Sequence, residues 1–405
     1  MSRLSLRPDH RLTLLKGGEA LFPALVRAID AARSEVLLET YMFDFSRSVI
    51  PVAEALEQAG RRGVRVRVVV DGVGTVDIPV EWQARWREAG VDWRIFNPAR
   101  GWRLLLPRRW RRLHRKLCVV DGRTAFCGGI NLLDDHYDPN HGELDAPRLD
   151  FAVRVTGPLV ADVHDTMTRL WWRLQLAHEA RRFDFESALR AARRGPQDEV
   201  APEEAPEASP PAASAALVLR DNVRNRRRIE DAYQDAIGRA RREIVIANAY
   251  FIPGVKLQRA LIGAARRGVR IILLLQGRYE YFMQFHASRA AYGPFLKAGI
   301  EIVEYDASFL HAKVAILDGE AGPLATVGSS NLDPLSLLLA REANVFVRDE
   351  RFADELRGHL MQAIERHGRS VDAEQYARRP LRTRVLNWVA YGLMRVALAL
   401  NGNRY

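Results

Sequence analysis

An α/β fold built from two tandem, similar halves is predicted by three observations. The pattern His-x-Lys-x4-Asp occurs twice, as His114, Lys116 and Asp121 and again as His311, Lys313 and Asp318. Each copy runs into a Gly/Ser-rich turn ending in Asn, Gly128 to Asn131 in the first and Gly328 to Asn331 in the second. Upstream, the segment from Ala55 to Val66 is echoed by that from Ala260 to Ile271, with Arg-Arg-Gly-Val-Arg common to both. Duplication is the economical explanation, and 405 residues suffice for two domains of ordinary size.

The elements follow the same order in both halves. A short apolar strand, 35–43 and 243–251, precedes a helix ending in Arg-Arg-Gly, 53–63 and 257–268. A β-branched strand comes next, 64–70 and 269–275, then a helix closing at Ala-Gly (Gly90, Gly299) and a strand, 91–96 and 300–305. Alternating helices and continuously apolar strands predict parallel pairing, buried on both faces. Each motif then occupies a strand-turn-strand unit, 113–120 with 124–126 and 310–317 with 324–327. Between the halves, 195–216 is rich in Pro, Ala and Glu and reads as a flexible, partly extended linker. The expected organisation is an N-terminal domain (1–194), this linker, a C-terminal domain (217–370) and a helical tail (371–405).

Net charge is +11 with a pI near 10.0, which favours anionic partners, nucleic acid or acidic lipid alike. Yet only Lys16, Lys116, Lys256, Lys297 and Lys313 among the 61 basic residues are lysine, and two of these five hold the same motif position. A compact ammonium is wanted there rather than a planar fork, as for a point charge on a phosphate oxygen. Cys118 and Cys127 are expected to be buried, reduced thiols of a cytosolic environment. No uninterrupted apolar stretch reaches roughly 18 residues and no signal peptide is expected, so the chain is not expected to be secreted or to span a membrane. Surface contact is the expected alternative. The segment 102–112 interleaves tryptophans, leucines and five arginines beside His114, and 385–400 is mostly apolar, broken by Asn387 and Arg395.

On a strand, His and Lys two residues apart project from one face. Imidazole is a nucleophile when neutral and an acid when protonated, so one histidine from each half can divide the labour of a two-step phosphoryl transfer. The turns at Asn131 and Asn331, with the Ser329 and Ser330 hydroxyls, offer donors to a highly charged transition state. Asp150 and Glu342 begin corresponding strands downstream and are expected to orient the imidazoles. Asp121 and Asp318 complete the motif but fall at its turn, where structural hydrogen bonds or salt bridges are expected rather than proton transfer. No metal is expected: His136 and His141, near Asp134, Asp135 and Asp138, read as a solvated loop.

These residues resemble the phospholipase D superfamily, whose signature is H-x-K-x4-D followed by G-[SG]-x-N, twice per active site. The first copy has six residues between Asp121 and Gly128 and the second nine between Asp318 and Gly328, the extra three placed around Glu320 to Pro323. Gly129 stands where Ser is common. Within the superfamily, roughly residues 12–367 resemble the bacterial cardiolipin synthases, most closely the type B form without the N-terminal transmembrane helices of type A. The resemblance implies two tandem phospholipase D-like α/β/α domains in a pseudo-twofold arrangement, with one active site at their interface. It implies transfer of a phosphatidyl group between phosphatidylglycerol molecules without cofactor or metal, on the cytoplasmic side of a bacterial membrane. His114 would be the nucleophile and His311 the acid and base, with Lys116, Lys313, Asn131, Asn331 and Ser329 on the phosphate. A lipid hydrolase or a nuclease of the superfamily is the alternative. Nucleic acid is not expected, because leucines and tryptophans flank the site.

Overall fold

The computed structural model describes residues 4–98, 111–181, 213–221, 225–333 and 340–400. The helices that position the strands stop where the sequence says they should. Gly63, Gly90, Gly268 and Gly299 all adopt positive φ, +78° to +87°, a region that an L side chain resists. They follow the helices Ile50–Arg61, Val80–Glu88, Val255–Arg266 and Tyr292–Lys297.

Among the described residues all strands but Tyr137–Asp138 and Gly142–Glu143 form one 16-stranded sheet, in which the short Arg112–Leu113 pairs with Ala340–Arg348 off the main path. Across the first half the order is Asp92–Phe96, Arg65–Asp71, Glu35–Thr40, Lys116–Val120, Thr124–Gly128, Phe151–Thr156 and Arg7–Lys16. Ala213–Arg220 joins Arg7–Lys16 antiparallel, and the second half repeats the order in reverse. It runs through Ala340–Arg348, Gly322–Gly328, Lys313–Gly319, Ala240–Asn248, Arg270–Gln276 and Glu301–Tyr305, ending at the short Gly368–Ser370. The parallel pairing expected of the alternating strands is found in both halves, and the sheet as a whole is mixed. The three outer strands of each half, which precede the motif, are parallel. The motif strand and its two successors are antiparallel. A three-residue connection, Asp121 to Arg123, can join only antiparallel strands, and it is made with Asp121 and Gly122 both at positive φ and Arg123 N–H donating to Val120 O at 3.0 Å. The strand Ala213–Arg220 also begins inside the stretch assigned to the linker, because Ala215 and its neighbours pair with both flanking strands.

Period-two alternation sends each strand's side chains into two cores. Val36, Leu38, Val66 and Val68 pack under the outer helices of the first half, and Ile244, Ile246, Ile271 and Leu273 under those of the second. Leu37, Leu117 and Val119 point inward, where they share one core with Val245, Val314 and Val345 and with the helices Leu159–Arg181 and Glu350–His367. Cys118 and Cys127 fall in different cores as free, buried thiols, each pushed up to about 12 by burial.

Candidate active site

Each regular motif strand starts at the lysine, not at the residue before the histidine. What precedes it belongs to the other half. Leu113 pairs in parallel with Arg341, and Leu310 with Leu149. His114 N–H donates to Arg341 O and His311 N–H to Leu149 O, both at 3.0 Å. Each histidine therefore arrives beside the acid that follows its partner residue, and the acid comes from the opposite half. His114 Nδ1 lies 3.1 Å from Glu342 Oε2, and His311 Nδ1 lies 2.6 Å from Asp150 Oδ2. A carboxylate accepting from Nδ1–H leaves Nε2 with its lone pair for chemistry.

Two braces hold the residue before each histidine. Leu113 N–H donates to Asp71 Oδ2 at 2.7 Å and Leu310 N–H to Gln276 Oε1 at 2.8 Å. Asp71 and Gln276 close the corresponding strands Arg65–Asp71 and Arg270–Gln276, each followed by glycine. Sequence reasoning missed both, although the matched polar-Gly pair at two strand ends was a usable signal.

Lys116 Nζ donates to His114 O at 2.7 Å, and Lys313 Nζ donates to His311 O. Both ammonium groups are buried, and burial is the first cause that lowers them, Lys116 to about 7 and Lys313 to about 8. Desolvated cations of this kind are stabilised by an arriving anion. The amide oxygens of Asn131 and Asn331 are buried without a partner among the described residues. A cavity of about 500 Å³ opens over this centre, lined by His114, His311, Asn131, Asp150, Arg148 and Tyr41 among others. The Tyr41 ring stands 5.0 Å from that of His114.

Three expected site residues lie elsewhere. Asp121 accepts from the N–H groups of Arg33, Ser34 and Glu35 and from Ser34 Oγ, at 2.8 to 3.0 Å, at the far end of the motif strand. Asp318 forms an ion pair with Arg242 at 2.7 Å. Neither is among the residues lining the cavity. Ser329 corrects the expectation of a phosphate donor. It is fully buried, donates to Glu342 Oε2 at 2.5 Å and accepts from Ala343 N–H at 3.1 Å, so its hydroxyl is committed to the acid. In the loop after the first motif, His141 pairs with Asp138 at 2.9 Å. Among the described residues no group of three or more His, Cys, Asp or Glu side chains is arranged to hold a metal ion.

The two His–acid pairs differ electrostatically. Burial would raise Glu342, but His114, Lys116 and the Ser329 hydroxyl outweigh it and hold the carboxyl below its ordinary value. Burial raises Asp150 to about 7 against the opposing pull of Lys313, the Phe151 N–H and Lys116. Burial lowers both imidazoles, with Glu342 partly restoring His114. His311 falls well below its usual range, because Lys313, Lys116 and His114 add to burial.

A family model described as "Cardiolipin synthase, PLD-like domain" matches residues 25–144 and 233–364. The chain is similar to cardiolipin synthase B of Escherichia coli K12, 36% identical over 409 residues, covering 99% of this chain and 91% of that one. It is similar to cardiolipin synthase A of Erwinia tasmaniensis at 29% over 385 residues, 94% and 74% covered. Among solved structures, phosphatidylserine synthase of Haemophilus influenzae superposes with a TM-score of 0.66 at 11% identity, over 97% of this chain and 96% of that one. Polyphosphate kinase of Porphyromonas gingivalis does so with a TM-score of 0.54 at 16%, over 87% and 50%. These two likenesses are likenesses of fold.

Proposed function

The chain belongs to the cardiolipin synthase family of phospholipase D-like proteins, and on that premise we propose that it moves a phosphatidyl group from one phosphatidylglycerol to a primary hydroxyl of another. The products are cardiolipin and glycerol. The crossed histidine–acid pairs carry this reading: one phosphate can meet two oriented imidazoles only where both halves contribute to each.

His114 Nε2 attacks the donor phosphorus. The P–O bond to glycerol breaks, and the departing oxygen takes a proton from His311. An acceptor hydroxyl then gives its proton to the same nitrogen while its oxygen bonds to phosphorus, and the P–N electron pair returns to His114. The electrostatic difference between the imidazoles supports this division. His114, assisted by Glu342, is the more basic and so the better nucleophile. His311, when protonated, is the stronger acid. It gains its proton when the phosphodiester anion binds, because that charge offsets the lysines which depress it. Lys116, Lys313, Asn131 and Asn331 hold the non-bridging oxygens through both steps.

We place the enzyme peripherally on an anionic membrane, on the cytoplasmic side. Among the described residues no helix is long and apolar enough to cross a membrane. The helix Leu381–Leu400 packs Ala390 and Met394 near Ala287 of the helix Phe282–Ala290, and that helix supplies Gln284 to the cavity wall. Its other face exposes Leu381, Val385, Trp388, Val389, Leu393 and Val396, at helical spacing. Such a face suits burial at the headgroup boundary beside the mouth of the site. Of the patch expected at 102–112, residues 102–110 lie outside the described residues, and Arg112 pairs with Asp71 at 3.0 Å.

Mass-spectrometric product analysis of purified protein with phosphatidylglycerol vesicles tests the reading. Cardiolipin with glycerol is expected. Phosphatidic acid alone would make the protein a lipid hydrolase instead.

A further inference from the structure

The cavity is also lined by a polar cluster that the transfer chemistry above leaves unused. Tyr250 Oη donates to Glu280 Oε2 at 2.5 Å, and Asn140 Nδ2 donates to Tyr281 Oη at 3.4 Å. All four side chains line the cavity together with His311. The first half lines the cavity with Tyr41, Met42, Ile130 and Leu133 and also with the charged Arg112, Asp135 and Arg148. Tyr250, Glu280 and Tyr281 come from the second half and Asn140 from the first, so the cluster stands where the two halves meet over the site.

Glu280 is the informative member. Burial raises its carboxyl, and Lys313 and Arg148 act on it only through space. Among the described residues it has no salt-bridge partner, so its remaining acceptor capacity calls for neutral donors. Tyr250 supplies one. An alcohol supplies more.

The chemistry says which alcohol. In two successive in-line displacements at one phosphorus, the group that leaves and the group that enters occupy the same side, opposite the nucleophile. With His114 as nucleophile, that side belongs to His311. Departing glycerol and the incoming headgroup of the acceptor lipid must share one subsite, and in phosphatidylglycerol both are glycerol units. We propose that Glu280 and Tyr250, flanked by Tyr281 and Asn140, form this alcohol subsite and select a vicinal diol over a simple alcohol. Glu280 accepts from the hydroxyl that does not react, and thereby turns the reacting one toward phosphorus and His311. The inference rests on the transferase reading above, and it adds the feature that decides which nucleophile is used.

A competition experiment tests it. Short-chain phosphatidylglycerol is incubated with enzyme and equal concentrations of deuterated glycerol and 1-propanol, and the ratio of deuterated phosphatidylglycerol to phosphatidylpropanol is read by mass spectrometry. Both alcohols draw on the same covalent intermediate, so the ratio is independent of how much protein is folded or how fast the intermediate forms. The native enzyme should prefer glycerol, and Glu280→Gln and Tyr250→Phe should each cut that preference about tenfold, the scale of one hydrogen bond to a buried carboxyl. If both variants keep the native ratio, or if native enzyme makes cardiolipin yet takes propanol as readily as glycerol, the subsite is wrong and the transferase reading stands. If the native enzyme yields phosphatidic acid and no alcohol product, the reading itself fails and the subsite falls with it.

Discussion

Gly129 beside Asp150 and Ser329 beside Glu342 occupy the same place in the two halves, and they hold their carboxylates by opposite means. A Cβ at Gly129 would stand 2.4 Å from Asp150 Oδ1, so the first half makes room for the acid by deleting a side chain. The second half keeps a side chain and uses its hydroxyl as a donor at 2.5 Å. Asp150 is left to rise to about 7 under burial, while Glu342, with His114, Lys116 and Ser329 around it, stays below its ordinary value. Because the acids cross between halves, the donor in the second half tunes the histidine of the first. On the proposed mechanism, the duplicated fold has thus acquired one imidazole for attack and one for proton delivery.

Removing the histidines breaks the comparison most severely. His114→Ala and His311→Ala should each lower cardiolipin formation by about 10⁴-fold or more. They should separate on a donor with an activated leaving group, which needs no acid for the first step. There His311→Ala should release a burst of about one equivalent and leave a phosphatidyl adduct visible by intact mass, while His114→Ala releases none. A burst from the His114 variant alone would invert the assignment. Next come the acids. Glu342→Gln and Asp150→Asn should each cost on the order of 10³-fold in kcat/KM, since an amide does not hold the required tautomer. The Glu342 variant should slow the burst and the Asp150 variant the subsequent transfer. Equal effects on both phases in both variants would mean that the halves do not divide the work.

Those roles were only partly legible in the chain. His114, Lys116, His311 and Lys313 stand out because residue type and spacing recur together, and the helix stops at Gly63 and Gly268 because the positive φ there favours glycine. Which acid meets which histidine was not legible. It depends on Leu113 reaching Arg341 and Leu310 reaching Leu149, contacts between residues far apart in sequence that no local pattern encodes. The Asp71 and Gln276 braces were hidden for another reason: they are equivalent in position but different in type, so a comparison of motifs passes over them. Ser329 was read as a phosphate donor because its turn resembles an anion site, and only the position of Glu342 reveals where the hydroxyl is spent.

Ser329→Ala sharpens the comparison further. Loss of one hydrogen bond should cost about tenfold in kcat/KM. The sign of its pH effect follows from Glu342, whose ionised form is needed. The hydroxyl helps hold that carboxyl low, so removing it raises the Glu342 pKa and moves the acidic limb of the kcat/KM profile to higher pH. A parallel drop at all pH values would assign Ser329 a purely steric part. Gly129→Ser should be worse than Ser329→Ala, because the added atoms displace Asp150 rather than merely releasing it.

The smallest effects on chemistry should come from the third motif residue, where the halves differ in stability instead. Asp121 satisfies three backbone N–H groups and a hydroxyl, whereas Asp318 holds one arginine whose side chain is 80% exposed. Asp121→Ala should destabilise the fold by about 1–3 kcal/mol, the cost of leaving such donors unpaired, and Asp318→Ala by less than about 1 kcal/mol. Burial would raise the Asp121 carboxyl, but the N–H groups of Glu35, Ser34 and Arg33 bring it below its ordinary value. Its contribution is therefore whole at neutral pH and is lost as pH falls through the depressed folded-state value. Denaturant melts of native and Asp121→Ala protein should lie apart at pH 7 and converge in acid, with kcat of the folded fraction nearly unchanged. A gap independent of pH would mean that the turn is held by its backbone geometry and not by the charge.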